Sequence, residues 1–312
     1  MSSALLEVRG LCRSYGSLRA VDDLSFAFEK GQVYGFIGPN GAGKTTTMRM
    51  LATLDLPDGG DAFVDGLSIL VEPRKVRMQV GFMADRFVPY PNLDVVEFLD
   101  FFARAYGLRG RERIRTIESV CSFCGLDDFR NRPSTGLSKG MAQRLHLAKT
   151  LLHDPSLLIL DEPAAGLDPH ARIDLRHLLG ELAAAGKGIL ISSHILSELS
   201  ESCDGVVVIE RGRRVVSGAL DEIAKEVREH HAVRVRLLGE PDEAERFFLT
   251  QPHVQDIQSV DHTIEFDFTG DEEEMAALLQ RAIGAGLRVV EFRQREADLE
   301  DIFMRTTKGK LQ

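Results

Sequence analysis

No apolar run in this chain approaches the ~18–20 residues that a membrane-spanning helix needs. The first residues, Met1-Ser2-Ser3-Ala4-Leu5-Leu6-Glu7, lack a basic stretch followed by a long apolar one, so no secretory signal is expected. Any membrane role must come through a partner. Cysteine is sparse, with Cys12, Cys121, Cys124 and Cys203 the only four in 312 residues, which suggests a reducing compartment. Cys121-Ser-Phe-Cys124 has C-x-x-C spacing but no second pair and no nearby histidine, so apolar packing on a helix is expected there. There is no heptad run of coiled-coil length. An excess of basic charge is missing as well: the net charge is −10. Residues 219–312 hold 12 Lys and Arg against 21 Asp and Glu, a net −9, while residues 1–218 hold 26 against 27. An acidic tail argues against nucleic acid as its partner.

What is present begins with Gly38-Pro39-Asn40-Gly41-Ala42-Gly43-Lys44-Thr45-Thr46, which fits G-x-x-x-x-G-K-[ST], the phosphate-binding P-loop (Walker A). Val33–Ile37 reads as a buried strand leading in and Lys44–Thr53 as a helix leading out. Glycines let backbone N–H groups turn inward around phosphate oxygens, and the helix N-terminus adds partial positive charge. In that setting Lys44 can reach the β- and γ-phosphates, and the Thr45 hydroxyl can take a place on Mg²⁺.

Leu5–Leu11 reads as a first strand, followed by a polar loop holding Tyr15. Beside a nucleotide site the Tyr15 ring can stack on a base; by itself it is an ordinary loop aromatic. After the P-loop helix and two short strands the pattern changes. Val95–Tyr106, Arg111–Cys124 and a run beginning near Ser138 have helical spacing, and 86–150 reads as a mostly helical insertion into an α/β domain. The stripe Phe98, Phe101, Phe102 and Tyr106 is expected in the core, with part of it facing a partner. Ser138 reads as an N-cap, and with Gly140 it can also offer a second anion-binding helix start.

Leu157–Leu160 is an apolar run ending in Asp161 and Glu162, which suits a central parallel strand. Ligands of open α/β sheets bind beyond the carboxyl ends of the strands. Asp161 is thereby expected to hold Mg²⁺, and Glu162 to polarise a water against the γ-phosphate. Gly166-Leu167-Asp168-Pro169 is a turn before a helix. Ile189–Ser193 is a further apolar strand, with His194 at its end able to donate a hydrogen bond to phosphate. Val206–Ile209 and Val215-Val216 close the region as a hairpin.

Taken in order, these motifs resemble the ATP-binding cassette of ABC transporters, over about residues 5–218. The resemblance implies a P-loop NTPase fold with a RecA-like core and a helical subdomain. Tyr15 looks like the aromatic residue that stacks on adenine, and Leu137-Ser138-Lys139-Gly140-Met141 is similar to the family signature. Asp161 and Glu162 match the Walker B strand and its catalytic glutamate, Asp168 lies in the D-loop, and His194 is like the switch histidine. The implied mechanism is a head-to-tail dimer, homodimeric or pseudo-symmetric, with two ATP molecules at its interface and separate integral membrane permease subunits. Such a subunit lies peripherally on the cytoplasmic, inner face of the cell membrane. Two departures stand out. Lys139 and Met141 replace the commoner glycine and glutamine, as in a variant seen in ABC-2-type export ATPases. Asp85 stands where the family usually has the Q-loop glutamine, so Asp85 is expected near Mg²⁺.

Residues 219–312 read as a separate unit of βαββαβ order, an α+β ferredoxin-like arrangement after a linking helix at Asp221–Glu229. Its last stretch, Leu299–Met304, resembles the closing helix of the extension on ABC-2 drug, antibiotic and polymer export ATPases. No catalytic constellation is visible in it, and dimer support or regulation is the expected role. The leading expectation is thus a transport-coupled ATPase of an exporter. The rival is an ATP-driven regulator or resistance protein without transport. Ribosome-acting relatives usually carry two cassettes, and DNA-repair relatives a long coiled coil; neither is here.

Overall fold

The apolar runs that seed the fold are short strands buried on both faces. In the computed structural model, which describes residues 4–193, 203–220, 223, 231–239 and 241–295, they assemble a six-stranded sheet. Its members are β3 (Val33–Ile37), β6 (Val80–Met83), β7 (Leu157–Leu160), β8 (Gly188–Ser193), β9 (Gly205–Glu210) and β10 (Arg213–Ala219), in the order β10-β9-β3-β8-β7-β6. All neighbours run parallel except β10, which pairs antiparallel with β9 through the expected hairpin. Register sets which polar residues meet beyond the strand ends. Leu160 pairs with Met83 on one side and Ile191 on the other, so Asp161, the first residue past β7, emerges beside Ser192 of β8.

Helix α1 (Lys44–Leu51) packs Met48 and Met50 onto the same core as Phe36, Ile159 and Leu190. A second, antiparallel sheet, in the order β2-β1-β4-β5, comprises β1 (Leu6–Tyr15), β2 (Leu18–Phe28), β4 (Gly59–Val64) and β5 (Leu67–Ser68). Here the structure corrects the expectation that β1 ends at Leu11 with Tyr15 in a loop. Register shifts after Val8, Leu11 and Arg13 let polar residues keep pairing with β2, and the strand runs to Tyr15. Such bulges break the clean apolar alternation by which a strand is recognised.

Helix α2 (Pro73–Gln79) precedes β6, and beyond it lie α3 (Val95–Ala105), α4 (Gly110–Phe123) and α5 (Lys139–Leu151). A capping box of Asp94 and Glu97 starts α3. The aromatic stripe divides: Phe98 is buried in the core, while Phe101 is 52% exposed. Tyr106 stacks on His153, ring centroids 4.0 Å apart. Cys121 and Cys124 are both fully buried, and burial pushes the Cys124 thiol up to about 12, in keeping with apolar packing. Helix α6 (Pro169–Ala184) links β7 to β8.

The chain divides into two compact units, Met1–Leu220 and Asp221–Gln312. In the second, β11 (His231–Leu237), α7 (Pro241–Leu249), β12 (Val254–Val260), β13 (Thr263–Phe268), α8 (Glu272–Gly284) and β14 (Val289–Arg295) follow one another in βαββαβ order. The sheet is antiparallel, ordered β12-β13-β11-β14. Alternation along β13 buries Ile264, Phe266 and Phe268 against Phe248 of α7 and Leu278 of α8. The closing segment Leu299–Met304 and most of the linking segment lie outside the described residues.

Candidate nucleotide site

The loop Gly38–Thr46 joins the end of β3 to the start of α1. Two of its glycines are needed for close approach. A Cβ on Gly38 would stand 2.4 Å from the Ile209 carbonyl oxygen, and one on Gly43 2.3 Å from that of Ala20. Gly43 also adopts φ 103°, in the left-handed region. The Ala42 amide bonds back to the Pro39 carbonyl at 3.1 Å, while Asn40 and Gly41 are exposed at the tip. Thr46 is half-buried. The β9–β10 hairpin clamps this loop to the second sheet: Gly212 N–H donates to Ala42 O (3.0 Å) and Gly212 O accepts from Asp22 N–H (2.8 Å).

Lys44 is 6% exposed and its ammonium donates to the Gly38 carbonyl at 2.7 Å, closing over the loop. It lies 3.6 Å from Glu162 Oε1. Asp161 is 1% exposed and is held by two hydroxyls: Thr45 Oγ1 donates to Oδ2 (2.8 Å) and Ser192 Oγ donates to Oδ1 (2.7 Å). Ser192 Oγ in turn accepts the Glu162 N–H at 2.8 Å. Glu162 sits at φ 49°, a backbone conformation that a non-glycine residue keeps only where its surroundings hold it. A carboxylate, a hydroxyl, an ammonium and a second carboxylate thus converge at the carboxyl end of the central strands.

Ser192 is the residue that sequence reasoning missed. It is a polar residue near the end of an apolar strand, and only the register that sets Ile191 opposite Leu160 brings it beside Asp161. The remaining expected residues fall in different places. Tyr15, 45% exposed, ends β1 with the Arg13 guanidinium 4.9 Å above its ring. Ser138 caps α5, accepting from Met141 N–H at 3.4 Å, and Asp168 caps α6, accepting from Ala171 N–H at 3.0 Å. These two helix starts meet each other: Lys139 Nζ lies against Gly166, and Gly140 faces Ala171. Asp85 follows β6, but its side chain is 58% exposed with Arg86 3.9 Å away, and the acceptor of the Thr45 hydroxyl is Asp161. His194 lies outside the described residues.

Comparison with known proteins decides what this arrangement belongs to. A family profile described as ABC transporter matches residues 21–165, and one described as the C-terminal domain of DrrA1-3-like ATP-binding proteins matches residues 218–307. The Nod factor export ATP-binding protein I of Ralstonia nicotianae is 35% identical over 310 residues, covering 98% of this chain and 94% of the relative. The chain is an ATP-binding subunit of the ABC transporter family. A Rhizobium protein of the same name is 35% identical over 311 residues, with 98% of each chain covered. Among solved structures, an ATP-binding subunit of an ABC transporter is 34% identical with a TM-score of 0.65, covering 71% of this chain and 92% of that one. The cbiO1 protein of Clostridium perfringens is 26% identical with the same TM-score, 0.65, over 72% of this chain and 95% of its own. The cassette is therefore an ATPase with an exporter-type C-terminal domain appended.

Proposed function

We propose that this cassette is the energy-coupling ATPase of a membrane exporter, acting as a head-to-tail dimer with separate permease chains at the inner face of the cell membrane. The observation that carries it is the network Thr45–Asp161–Ser192–Glu162 with Lys44 closing beside it. Tyr15 offers a stacking surface for adenine, and the loop Gly38–Thr46 offers backbone N–H groups and Lys44 for the phosphates.

Thr45 Oγ1 and Asp161 Oδ2, 2.8 Å apart, are hard oxygen donors of the kind Mg²⁺ takes, so they fit that ion and would hold it. Bound there, Mg²⁺ would neutralise charge on the β- and γ-phosphates. Glu162, anchored through its N–H, would accept a proton from the attacking water. Asp85, at the end of the neighbouring strand, would join this site from its exposed position on a change in the segment it begins. His194 would add a donor to the γ-phosphate.

The second copy is inferred from where the signature sits. Within the chain, Lys139 and Gly140 pack on Gly166 and Ala171, while Gly38 and Gly43 pack on Ile209 and Ala20. Phosphate contact by Ser138–Met141 therefore calls for the P-loop of another cassette, with Asp168 at the same seam. Export is inferred from relatives that are named as export subunits along 98% of this chain. No helix among the described residues is long and apolar enough to cross a membrane, so the path for cargo would belong to other chains, which would also select it. Gentle solubilisation of native membranes and capture through a C-terminal tag tests this reading. Recovery of a multi-span protein at equal stoichiometry is expected. Recovery only from the soluble fraction would leave an ATP-driven regulator instead.

A further inference from the structure

Gln143 is polar, lies one and a half turns into α5, and is only 7% exposed. Its Nε2 donates to the Pro163 carbonyl at 2.8 Å. A carbonyl can only accept, so this contact fixes which end of the amide faces Pro163. Pro163 immediately follows Glu162, whose left-handed backbone at φ 49° needs support from both sides. Ser192 supplies one side through the Glu162 N–H (2.8 Å), and Gln143 supplies the other through the Pro163 C=O. The same helix is pinned to the same stretch further along. Arg144 Nη2 meets Asp174 Oδ2 at 2.5 Å, and Gly140 lies against Ala171. Helix α5, which Ser138 caps, and the segment carrying Glu162 are thus tied together at several points.

We infer that Gln143 is a positioning residue for hydrolysis, holding Glu162 in register with the Ser138 end of α5. This rests on the reading that Glu162 serves the nucleotide on its own P-loop while Ser138 serves that of a second copy. Under it, each chain contributes to two ATP sites, and the amide of Gln143 is a direct polar link between the helix that Ser138 caps and the residue after Glu162. Closure of the Ser138 end on one nucleotide then moves the carboxylate that serves the other.

Two variants of the full chain test this, with steady-state ATP turnover, thermal unfolding and a pH profile as readouts. Gln143→Met keeps length and volume but removes the donor. It should lower kcat by about tenfold, the scale of one lost buried hydrogen bond, with KM for ATP changed less than about twofold. Gln143→Glu puts a buried carboxyl against a carbonyl oxygen, which disfavours its charged form and raises its pKa. Below that pKa the carboxyl regains an O–H donor, so kcat should be low at alkaline pH and recover as pH falls. Full wild-type kcat in Gln143→Met, a loss shared equally by kcat, KM and thermal stability, or a Gln143→Glu profile parallel to wild type would overturn the inference. Absence of turnover in the wild-type chain would overturn the functional reading instead.

Discussion

The central sheet of the cassette and the sheet of the C-terminal unit treat polar side chains in opposite ways. At the carboxyl end of the central strands, Lys44, Asp161, Ser192 and Ser193 are all buried, each less than one-tenth exposed. In the C-terminal sheet the described buried positions are apolar, including Val233, Val235, Ile264, Phe266 and Phe268. Its charges meet at the surface, Arg234 with Glu265 at 3.6 Å and Arg236 with Glu291 at 3.5 Å. Burying polar groups is unfavourable unless every one is partnered, so a fold that tolerates such a cluster uses it. The contrast sets a cluster of buried polar groups in one unit against an apolar core with its charges outside in the other.

The sharpest way to break the contrast is to remove the half-buried carboxylate beside this cluster, Glu162. Glu162→Gln keeps shape, and the Ser192 hydroxyl still accepts the backbone N–H. Turnover should fall by about 10²–10⁴-fold, the range general-base catalysis supplies, while ATP binding survives. Single-turnover hydrolysis and equilibrium nucleotide binding, measured on the same preparation, separate the two. Wild-type turnover would remove Glu162 from its role.

Ser192→Ala probes the partnering itself. It strips a donor from the buried Asp161 Oδ1 and removes the hydroxyl that accepts the part-buried Glu162 N–H. The expected cost is about 1–3 kcal/mol in stability. Turnover should drop as well, because Glu162 loses one of its anchors. Denaturant titration with an ATPase assay checks it; a variant as stable and active as wild type would show the hydroxyl to be dispensable.

How much of the molecule is legible in the sequence divides along the same line. The loop Gly38–Thr46, the run ending in Asp161 and Glu162, and the helix starts at Ser138 and Asp168 are readable because each is a local pattern of spacing and caps. The alternation Ile264, Phe266, Phe268 marks the tail strand for the same reason. Ser192 is not readable as a functional residue, because its importance comes from register: Ile191 lies opposite Leu160, and no local pattern in either strand states that. Tyr15 reads as a loop residue because bulges erase the alternation that marks a strand. Asp85 is assigned by position along the chain, and in the structure its carboxylate is exposed, 3.9 Å from Arg86.

A buried titratable group outside the site gives a pH-dependent test. His146 on α5 is 3% exposed, its Nδ1 has no hydrogen-bond partner, and the ring of Phe87 lies 5.6 Å away. Burial, with the nearby Lys149 charge adding to it, lowers its pKa to about 3. The unfolded chain therefore binds a proton below about 6.5 that the folded chain refuses. The stability this group permits is fully present above about pH 6.5 and is lost progressively as pH falls toward the folded value. His146→Leu should match wild type near neutral pH to within about 1 kcal/mol, as a volume-conserving core change. It should become the more stable of the two as the solution is acidified toward about pH 4. Parallel stability curves across that range would show that His146 is not the source of the acid sensitivity.

The smallest effect belongs to the other half of the contrast. Arg236 is 50% exposed on β11 and pairs with Glu291 at 3.5 Å, while Glu291 also meets Arg293 at 3.0 Å. In high dielectric such a pair gains little over its separate hydration, and Glu291 keeps a second cation when Arg236 is removed. Arg236→Ala should change stability by less than about 1 kcal/mol and leave the ATPase rate of the isolated full chain untouched. The size of that effect matters for what the tail does. A change in turnover confined to membranes that hold the partner chains would mean that the charged sheet surface is read by another protein. A large loss of stability in the purified chain would mean that these ion pairs build the tail, and the division between a chemical unit and a surface unit would fail.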